Sequence, residues 1–234
     1  MRKQSAWLRF LVLIIGSLAL ITACGSSPST SPLSPSGLTL LPSADPYHSA
    51  IVATRALGTA RIQLSGSRTD DKGTTPLKAE GVSVLGTGMG DLTWTTPTGP
   101  YREIVNNRGI YGTSNGVDWT QWAVGDPTST SGFVDPLRGL GVLNDVVIAG
   151  HEDLGSVPTT RYTGSLPVDA PQGAREDVTV WIDDFGHAVR VDRTVTGADG
   201  SRVVDTSTSM TEFSLQLDLT SPSKNVTLGS KPLP

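Results

Sequence analysis

The sequence predicts an α+β protein built on a strongly curved antiparallel half-barrel sheet of about ten to eleven strands, with short helices on its concave side. Apolar and polar residues alternate in one run after another, and turn-forming dipeptides separate the runs. Glycine (26) and proline (16) are abundant among the 234 residues, as in turn-rich β proteins. Such alternation is typical of a sheet with one covered and one solvated face. So many strands carry more apolar surface than two short helices cover on a flat sheet, and we therefore expect the sheet to curl around the helices.

Residues 1–23 have the pattern of a signal peptide. Arg2, Lys3 and Arg9 precede the apolar run 10–21, which is shorter than the roughly 20 residues that span a bilayer. The run ends at Ile21-Thr22-Ala23-Cys24, which resembles the bacterial lipobox. The resemblance implies cleavage before Cys24 and acylation of its sulfur, and two or more acyl chains hold a protein stably on a membrane. An ordinary secretory signal with a chance cysteine is the alternative.

Residues 24–43 read as a flexible tether, and residues 44–234 as a single domain. The stretch 25–37 contains six serines and three prolines in thirteen residues, a composition that cannot offset the entropy of ordering. A flexible chain of about twenty residues averages roughly 25 Å from end to end. We therefore expect the domain to stay near the membrane surface.

The domain begins with a helix and continues as strands. Asp45 is the predicted N-cap, Pro46 the first helical residue and Gly58 the terminator. A second short helix is predicted at 134–143, where Asp135-Pro136 lies near its start. The predicted strands are 59–66, 79–88, 90–96, 101–106, 109–113, 117–123, 145–152, 157–168, 177–184, 187–197 and 202–218.

Composition and charge exclude several classes of function. One cysteine provides neither an intrachain disulfide framework nor a multi-cysteine zinc site. The net charge is −4, and removing the three basic residues of the leader takes it to −7. No basic stripe remains to neutralise phosphates, so no nucleic-acid partner is expected.

Individual motifs give no case for a cofactor, a metal or catalysis. Gly86-x-Gly88-x-Gly90 lacks the following helix that a phosphate loop needs, and we interpret it as a bulge or bend in the sheet. His151 and Glu152 are adjacent on a strand and point to opposite faces, so they do not share a metal site. No nucleophile elbow is present and no histidine pairs with a serine, so we expect no enzyme.

An ordered set of segments resembles the actinobacterial LppX/LprAFG lipoproteins, which share the fold of the carriers LolA and LolB. The segments follow the lipobox and its tether: Gly109-Ile110-Tyr111 through Trp119, Asp135-Pro136-Leu137, 146–152, 159–164, and 178–187 with Arg190 and Arg193 on the next strand. The resemblance covers roughly residues 45–220. It implies a half-barrel enclosing an apolar cavity that binds acyl chains of lipids or acylated glycolipids for carriage within the cell envelope.

This resemblance predicts an extracytoplasmic, membrane-anchored lipid-binding lipoprotein, palmitate being one acyl chain expected on Cys24. The first helix and residues 125–145 would form the gate. A protein-interaction or envelope-sensing lipoprotein with a filled core, bound to an envelope protein partner, is the alternative. The predicted cavity-lining residues are Ile51, Ile62, Leu64, Val82, Val84, Leu92, Trp94, Trp119, Leu137, Leu140, Ile148, Val180 and Ile182.

Overall fold

The computed structural model describes residues 45–122, 131–166 and 174–229. The predicted signal peptide, Cys24 and the tether lie outside these residues. The helices are α1 (Pro46–Ala56), α2 (Ser131–Val134) and a 3₁₀ helix (Leu140–Val142). The strands are β1 (Thr59–Asp70), β2 (Gly73–Val84), β3 (Met89–Thr96), β4 (Gly99–Asn106), β5 (Gly109–Thr113), β6 (Trp119–Trp122), β7 (Asn144–Leu154), β8 (Val157–Leu166), β9 (Arg175–Asp183), β10 (Ala188–Thr196), β11 (Arg202–Thr211) and β12 (Val226–Leu228).

Helix α1 forms as its termini predict. The side chain of Asp45 accepts a hydrogen bond from the amide of Tyr47 at 3.1 Å, and Pro46 occupies the first turn. Gly58 follows the helix with a φ of 80°, a left-handed conformation that glycine adopts without strain. Within the described residues, no helix is long and apolar enough to cross a membrane.

The strands of the described residues form one open sheet in the order β12-β6-β5-β4-β3-β2-β1-β11-β10-β9-β8-β7. Neighbouring strands are antiparallel except for β12, which pairs parallel to β6. A large open sheet covered on one face is consistent with the predicted half-barrel. The sheet is mixed and has twelve strands, because the chain returns after β11 and adds a three-residue strand that the sequence did not reveal.

Three local predictions are wrong. The second helix is not continuous over 134–143, because α2 ends at Val134 and Gly139 takes a left-handed φ of 75° before the 3₁₀ helix begins. The glycine-rich run from Gly86 to Gly88 is the β2–β3 turn and not a bulge within a strand. Strand β11 ends at Thr211, well before residue 218.

The two faces of the sheet are built differently. The inner face carries the main hydrophobic cluster, to which α1 contributes Ile51 and residues 134–140 contribute Leu137 and Leu140. The outer face carries a smaller cluster of Ile104, Tyr111 and Trp119 near the β12 edge. The inner cluster is the main core of the domain.

Candidate functional site

The segment 133–143, here called the plug, lies over the inner face of the sheet. Val134, Leu137 and Leu140 are fully buried, with an exposed fraction of 0%. They belong to the same cluster as the inward-facing residues of β1 to β3 and β9 to β11. Where the resemblance predicts room for a hydrocarbon tail, the side chains of the plug therefore occupy the space beside the sheet.

Polar side chains of other elements hold the plug by its backbone. The Tyr47 hydroxyl donates to the carbonyl of Leu140 at 2.8 Å, and the Arg55 guanidinium donates to the carbonyl of Leu137 at 3.1 Å. Arg193 on β10 donates to the carbonyls of Pro136 and Arg138. Burial raises the pKa of Tyr47 well above its usual range, so its hydroxyl remains a donor through neutral and mildly alkaline pH.

Among the side chains that hold the plug, Arg193 is itself held by an ion pair. Its guanidinium pairs with Glu176 at 2.6 Å, and both side chains are largely buried, at 12% and 14% exposed. The two groups lie on the inner face, where a buried charge needs a partner and full hydrogen bonding. The plug supplies two of the carbonyl acceptors, so its position and the Arg193–Glu176 pair support each other.

The N-terminal end of the plug is fixed to the β2–β3 region. The Ser83 hydroxyl donates to the carbonyl of Val134 at 2.6 Å. The Asp135 carboxylate, in a residue 6% exposed, accepts hydrogen bonds from the amides of Gly86 and Leu137, each at 3.0 Å. The Ser83 hydroxyl thus satisfies a carbonyl at the C-terminal end of α2, and Asp135 satisfies one amide of the β2–β3 turn and one of the plug.

Nine of the thirteen predicted lining residues meet in the inner cluster. They are Ile51, Ile62, Leu64, Leu92, Trp94, Leu137, Leu140, Val180 and Ile182. Five of these are 0% exposed, which means that no water-sized space touches them. Their role in holding a lipid stays a prediction, because in this conformation they pack against one another.

The other four predicted lining residues lie elsewhere. Val82 and Val84 face outward, because Ser83 between them points inward to the plug. The cross-strand neighbours of Val82 are Arg61 and Asp91, which lie on the outer face. Trp119 packs in the outer cluster, and Ile148 is 62% exposed on the edge strand β7. For Val82, Val84 and Trp119 the alternating pattern did not identify the face on which the side chain lies. For Ile148 it did not reveal that the side chain is exposed.

Trp119 and Trp122 face opposite sides of β6, as their spacing predicts. Trp122 joins the inner cluster and stands 6.4 Å, centroid to centroid, from the ring of Tyr101. The buried Nε1 of Trp94, Nε1 of Trp122 and hydroxyl of Tyr101 have no hydrogen-bond partner within the described residues. Burial raises the pKa of Tyr101 above its usual range, with the Glu103 carboxylate adding to the effect. The inner cluster thus includes polar atoms that a ligand or ordered water could satisfy.

An open groove lies between α1 and the β8–β9 region. It has a volume of about 450 Å³ and is lined by Ser49, Ala50, Tyr162, Ile182 and the β9–β10 turn. Ala50 and Ile182 also belong to the inner cluster, so the floor of the groove is the boundary of that cluster. Phe185 at the rim is 85% exposed. The groove therefore combines a polar rim with an apolar floor, in the size range of ligand pockets.

The side chains that hold the plug were hard to identify from the sequence. Tyr47 lies on a predicted helix and Arg193 on a predicted strand, but their partners are 93 and 57 residues away in the chain. A charged residue at an inward position of β10 was the one available signal, because an inward arginine needs a buried partner. Only the folded chain identifies that partner.

Comparisons with known proteins bear on the fold of this chain. No family profile and no curated protein sequence matches this chain. Among solved structures, LprF from Mycobacterium bovis is 14% identical, with a TM-score of 0.51 over 76% of this chain and 95% of LprF. The lipoprotein LppX from Mycobacterium tuberculosis is 16% identical, with a TM-score of 0.47 over 74% of this chain and 98% of LppX.

A LolA superfamily protein from Nitrosomonas europaea is 7% identical, with a TM-score of 0.33 over 73% of this chain and 93% of that protein. The match to LprF supports the LppX/LprAFG fold that the sequence resemblance predicts. At these identities the comparison concerns the fold, and the activity of this chain has to be argued from its own residues.

Proposed function

We propose that this chain, which has the LppX/LprAFG lipoprotein fold, binds an acyl chain of a lipid or acylated glycolipid on the inner face of its sheet and carries it within the cell envelope. One observation supports this proposal above the others. The inner face is closed by a plug that is neither a strand nor a long helix and is held largely by side-chain bonds to its backbone. Displacing such a segment uncovers apolar surface without breaking the sheet.

The energetics of exchange are close to balanced. Burial of Val134, Leu137 and Leu140 contributes roughly 1.5–3 kcal/mol each, and the hydrogen bonds that hold the plug contribute about 1 kcal/mol each. Together these terms amount to roughly 10–15 kcal/mol. A sixteen-carbon chain gains on the order of 10 kcal/mol from burial before ordering costs. A near balance lets a carrier both accept and release its cargo.

The groove beside α1 is the proposed entrance. Its floor residues Ala50 and Ile182 belong to the inner cluster, and its rim offers Ser49 and Thr160 to the polar part of a lipid. The acyl chain would enter past these residues as the plug withdraws, so the polar head remains at the rim. Partition of this kind requires no cofactor, no metal and no catalytic group.

Lipid extraction tests the proposal directly. The domain (residues 38–234) is purified, extracted with organic solvent and analysed by mass spectrometry, and the delipidated protein is offered a fluorescent fatty acid. We expect a co-purifying lipid and saturable uptake. Absence of both would reject the carrier function.

A matched pair of arginine variants tests the role of the plug. Arg193→Gln removes the ion pair with Glu176 and the bonds to the plug, and we expect fatty-acid uptake to become about tenfold faster. Arg190→Gln removes an outer-face pair with Asp192 and serves as the control. Equal uptake rates in the two variants would show that the plug does not control entry.

A second function is supported by a different observation. Five predicted lining residues are fully buried, and exposed apolar side chains lie near the β7 edge, including Ile148 at 62% and Val147 at 58%. A filled core together with exposed apolar side chains on an edge strand fits a lipoprotein that binds an envelope protein partner. If the chain binds a protein partner, charged substitutions at Val147 and Ile148 should abolish partner capture, and the delipidated protein should take up no fatty acid. Saturable uptake that these substitutions leave unchanged would favour the carrier function.

We further propose that Cys24 anchors the chain to the membrane on its extracytoplasmic face after removal of residues 1–23. The lipobox pattern and the position of the single cysteine support this. Cys24→Ala should move the protein from the membrane fraction to the soluble fraction of fractionated cells. Unchanged membrane association would refute acylation at this position.

A further inference from the structure

The outer face of the sheet contains a polar trough of about 400 Å³ that the lipid-binding function does not use. Two cross-strand rows of side chains line it. The first row is Ser209, Gln63, Glu80 and Thr93, and the second is Ser207, Ser65, Lys78 and Thr95. Four strands about 4.8 Å apart make each row roughly 15 Å long.

The side chains of the trough differ from the rest of the outer face in having no partners. Elsewhere on this face the charged groups are paired, as in Arg61–Glu212 at 2.8 Å and Arg102–Asp91 at 2.6 Å. Within the described part of the chain, Lys78 and Glu80 make no ion pair, and none of the eight trough side chains makes a hydrogen bond. Their hydrogen-bonding capacity is therefore available to a ligand.

The ends of the first row are bounded by stacked side chains. Arg190 is the next ladder position beyond Ser209, and its guanidinium lies 4.7 Å from the ring centre of Trp181. Arg102 is the next position beyond Thr93, and its guanidinium lies 5.8 Å from the ring centre of Trp119. Each arginine is also fixed by an aspartate, Asp192 or Asp91. These fixed groups limit the trough to a ligand segment about four strands long.

The chemistry of the trough selects a neutral polyhydroxyl ligand. It offers five hydroxyls, one amide, one ammonium and one carboxylate, so it can both donate and accept along its whole length. Its charges cancel, which gives a polyanion no net attraction, and one carboxylate is too few for a divalent cation. Its side chains are polar apart from the inward-facing Leu64 and Ala79, so it offers an acyl chain little to bury.

We propose that the trough binds a segment of neutral oligosaccharide. This site lies on the opposite face from the plug and goes beyond the proposed lipid binding, so either can fail without the other. A vicinal pair of sugar hydroxyls donates to Glu80, while Gln63 and the surrounding serine and threonine hydroxyls take the neighbouring hydroxyls. Lys78 donates to sugar oxygens in the second row.

The test uses the full chain in a detergent without a sugar head group. Cellotetraose, chitotetraose and mannotetraose are the probes, titrated to about 10 mM by calorimetry and by saturation-transfer NMR. We expect at least one probe to bind, and the double variant Gln63→Ala/Glu80→Ala to weaken that binding about tenfold or more. The control Glu212→Ala breaks an outer-face pair just beyond the trough and should change the affinity less than twofold.

The outcomes are decisive in either direction. Binding that falls in the double variant and persists in the control supports the site, provided that circular dichroism shows both variants folded. No binding of any probe overturns the proposal, because the trough is then only a hydrated surface. Binding that the double variant leaves unchanged also overturns it, because the sugar then occupies another place.

Discussion

Helix α1 and the plug both cover the inner face of the sheet, but they are held in different ways. Helix α1 satisfies its own backbone and contributes fully buried Ile51 to the core. The plug contributes fully buried Leu137 and Leu140, while several of its carbonyls accept hydrogen bonds from Tyr47, Arg55 and other side chains. Equal burial therefore does not mean equal attachment: α1 makes its own main-chain hydrogen bonds, whereas carbonyls of the plug depend on side chains of other elements.

The largest change in stability is expected when one buried aliphatic residue is truncated in each of the two regions. Ile51→Ala and Leu137→Ala should each lower the free energy of unfolding by about 2–5 kcal/mol, measured by urea denaturation. Leu137→Ala should also increase fatty-acid uptake, because it weakens the plug, and Ile51→Ala should not. If both variants change uptake equally, the plug is no more detachable than the helix.

The Asp135 carboxylate gives a more local test of plug attachment. Asp135→Ala removes the acceptor for the amides of Gly86 and Leu137 and should reduce stability by about 1–3 kcal/mol while increasing uptake. Asn115→Ala is the matched control, since the side-chain oxygen of Asn115 accepts from the amides of Val117 and Asp118 in the β5–β6 turn, away from the groove and the plug. It should reduce stability similarly and leave the uptake rate unchanged; a faster uptake in this control would contradict the assignment.

Two buried tyrosines allow a test of stability at alkaline pH. Burial raises the pKa of Tyr47 and of Tyr101 in the folded state, whereas the unfolded value is about 10. Their contribution to stability is therefore fully present below about pH 10 and is lost as the pH rises from there toward the folded-state pKa. Tyr47→Phe and Tyr101→Phe should each flatten the alkaline decline of the unfolding free energy.

Only one of the two tyrosine variants should affect the plug. Tyr47→Phe removes the bond to the carbonyl of Leu140, so it should reduce stability at pH 7 by about 1 kcal/mol and speed fatty-acid uptake. Tyr101 has no hydrogen-bond partner among the described residues, so Tyr101→Phe should change neither the stability nor the fatty-acid uptake at pH 7. An unaltered alkaline slope in both variants would refute the effect of burial.

The smallest effect is expected on the outer face, away from both regions. Arg61 and Glu212 form an exposed pair at 2.8 Å, and such pairs contribute about 0–1 kcal/mol. Arg61→Ala should therefore change stability by less than about 1 kcal/mol and leave uptake unaltered. A larger loss would show that the outer face contributes more to the fold than its exposure suggests.

Much of the fold was predictable from local signals. Asp45, Pro46 and Gly58 mark the ends of α1, and the alternation of Ile62 and Leu64 identifies β1, because capping and side-chain alternation depend on near neighbours in the chain. Strand β12 was missed because three residues are too few to show a period. Its partner β6 lies about a hundred positions earlier, so pairing and not sequence defines it.

The site was less predictable because its geometry depends on distant partners. Leu137 and Leu140 are spaced as on a helix, but the intervening Gly139 adopts a left-handed conformation and the segment is held by Tyr47, Arg55 and Arg193. Val82 and Ser83 illustrate the same limit. The valine faces outward and the serine inward, because the carbonyl of Val134 accepts the hydroxyl of Ser83 across 51 residues.

The place where the chain enters the domain has a functional consequence. Pro46, the first residue of α1, is itself part of the rim of the groove. If Cys24 is acylated as proposed, the roughly twenty residues that follow it reach the domain at this rim, because Pro46 begins α1. On that proposal, loading and unloading of lipid would take place at the membrane surface, on the side of the domain where the groove opens.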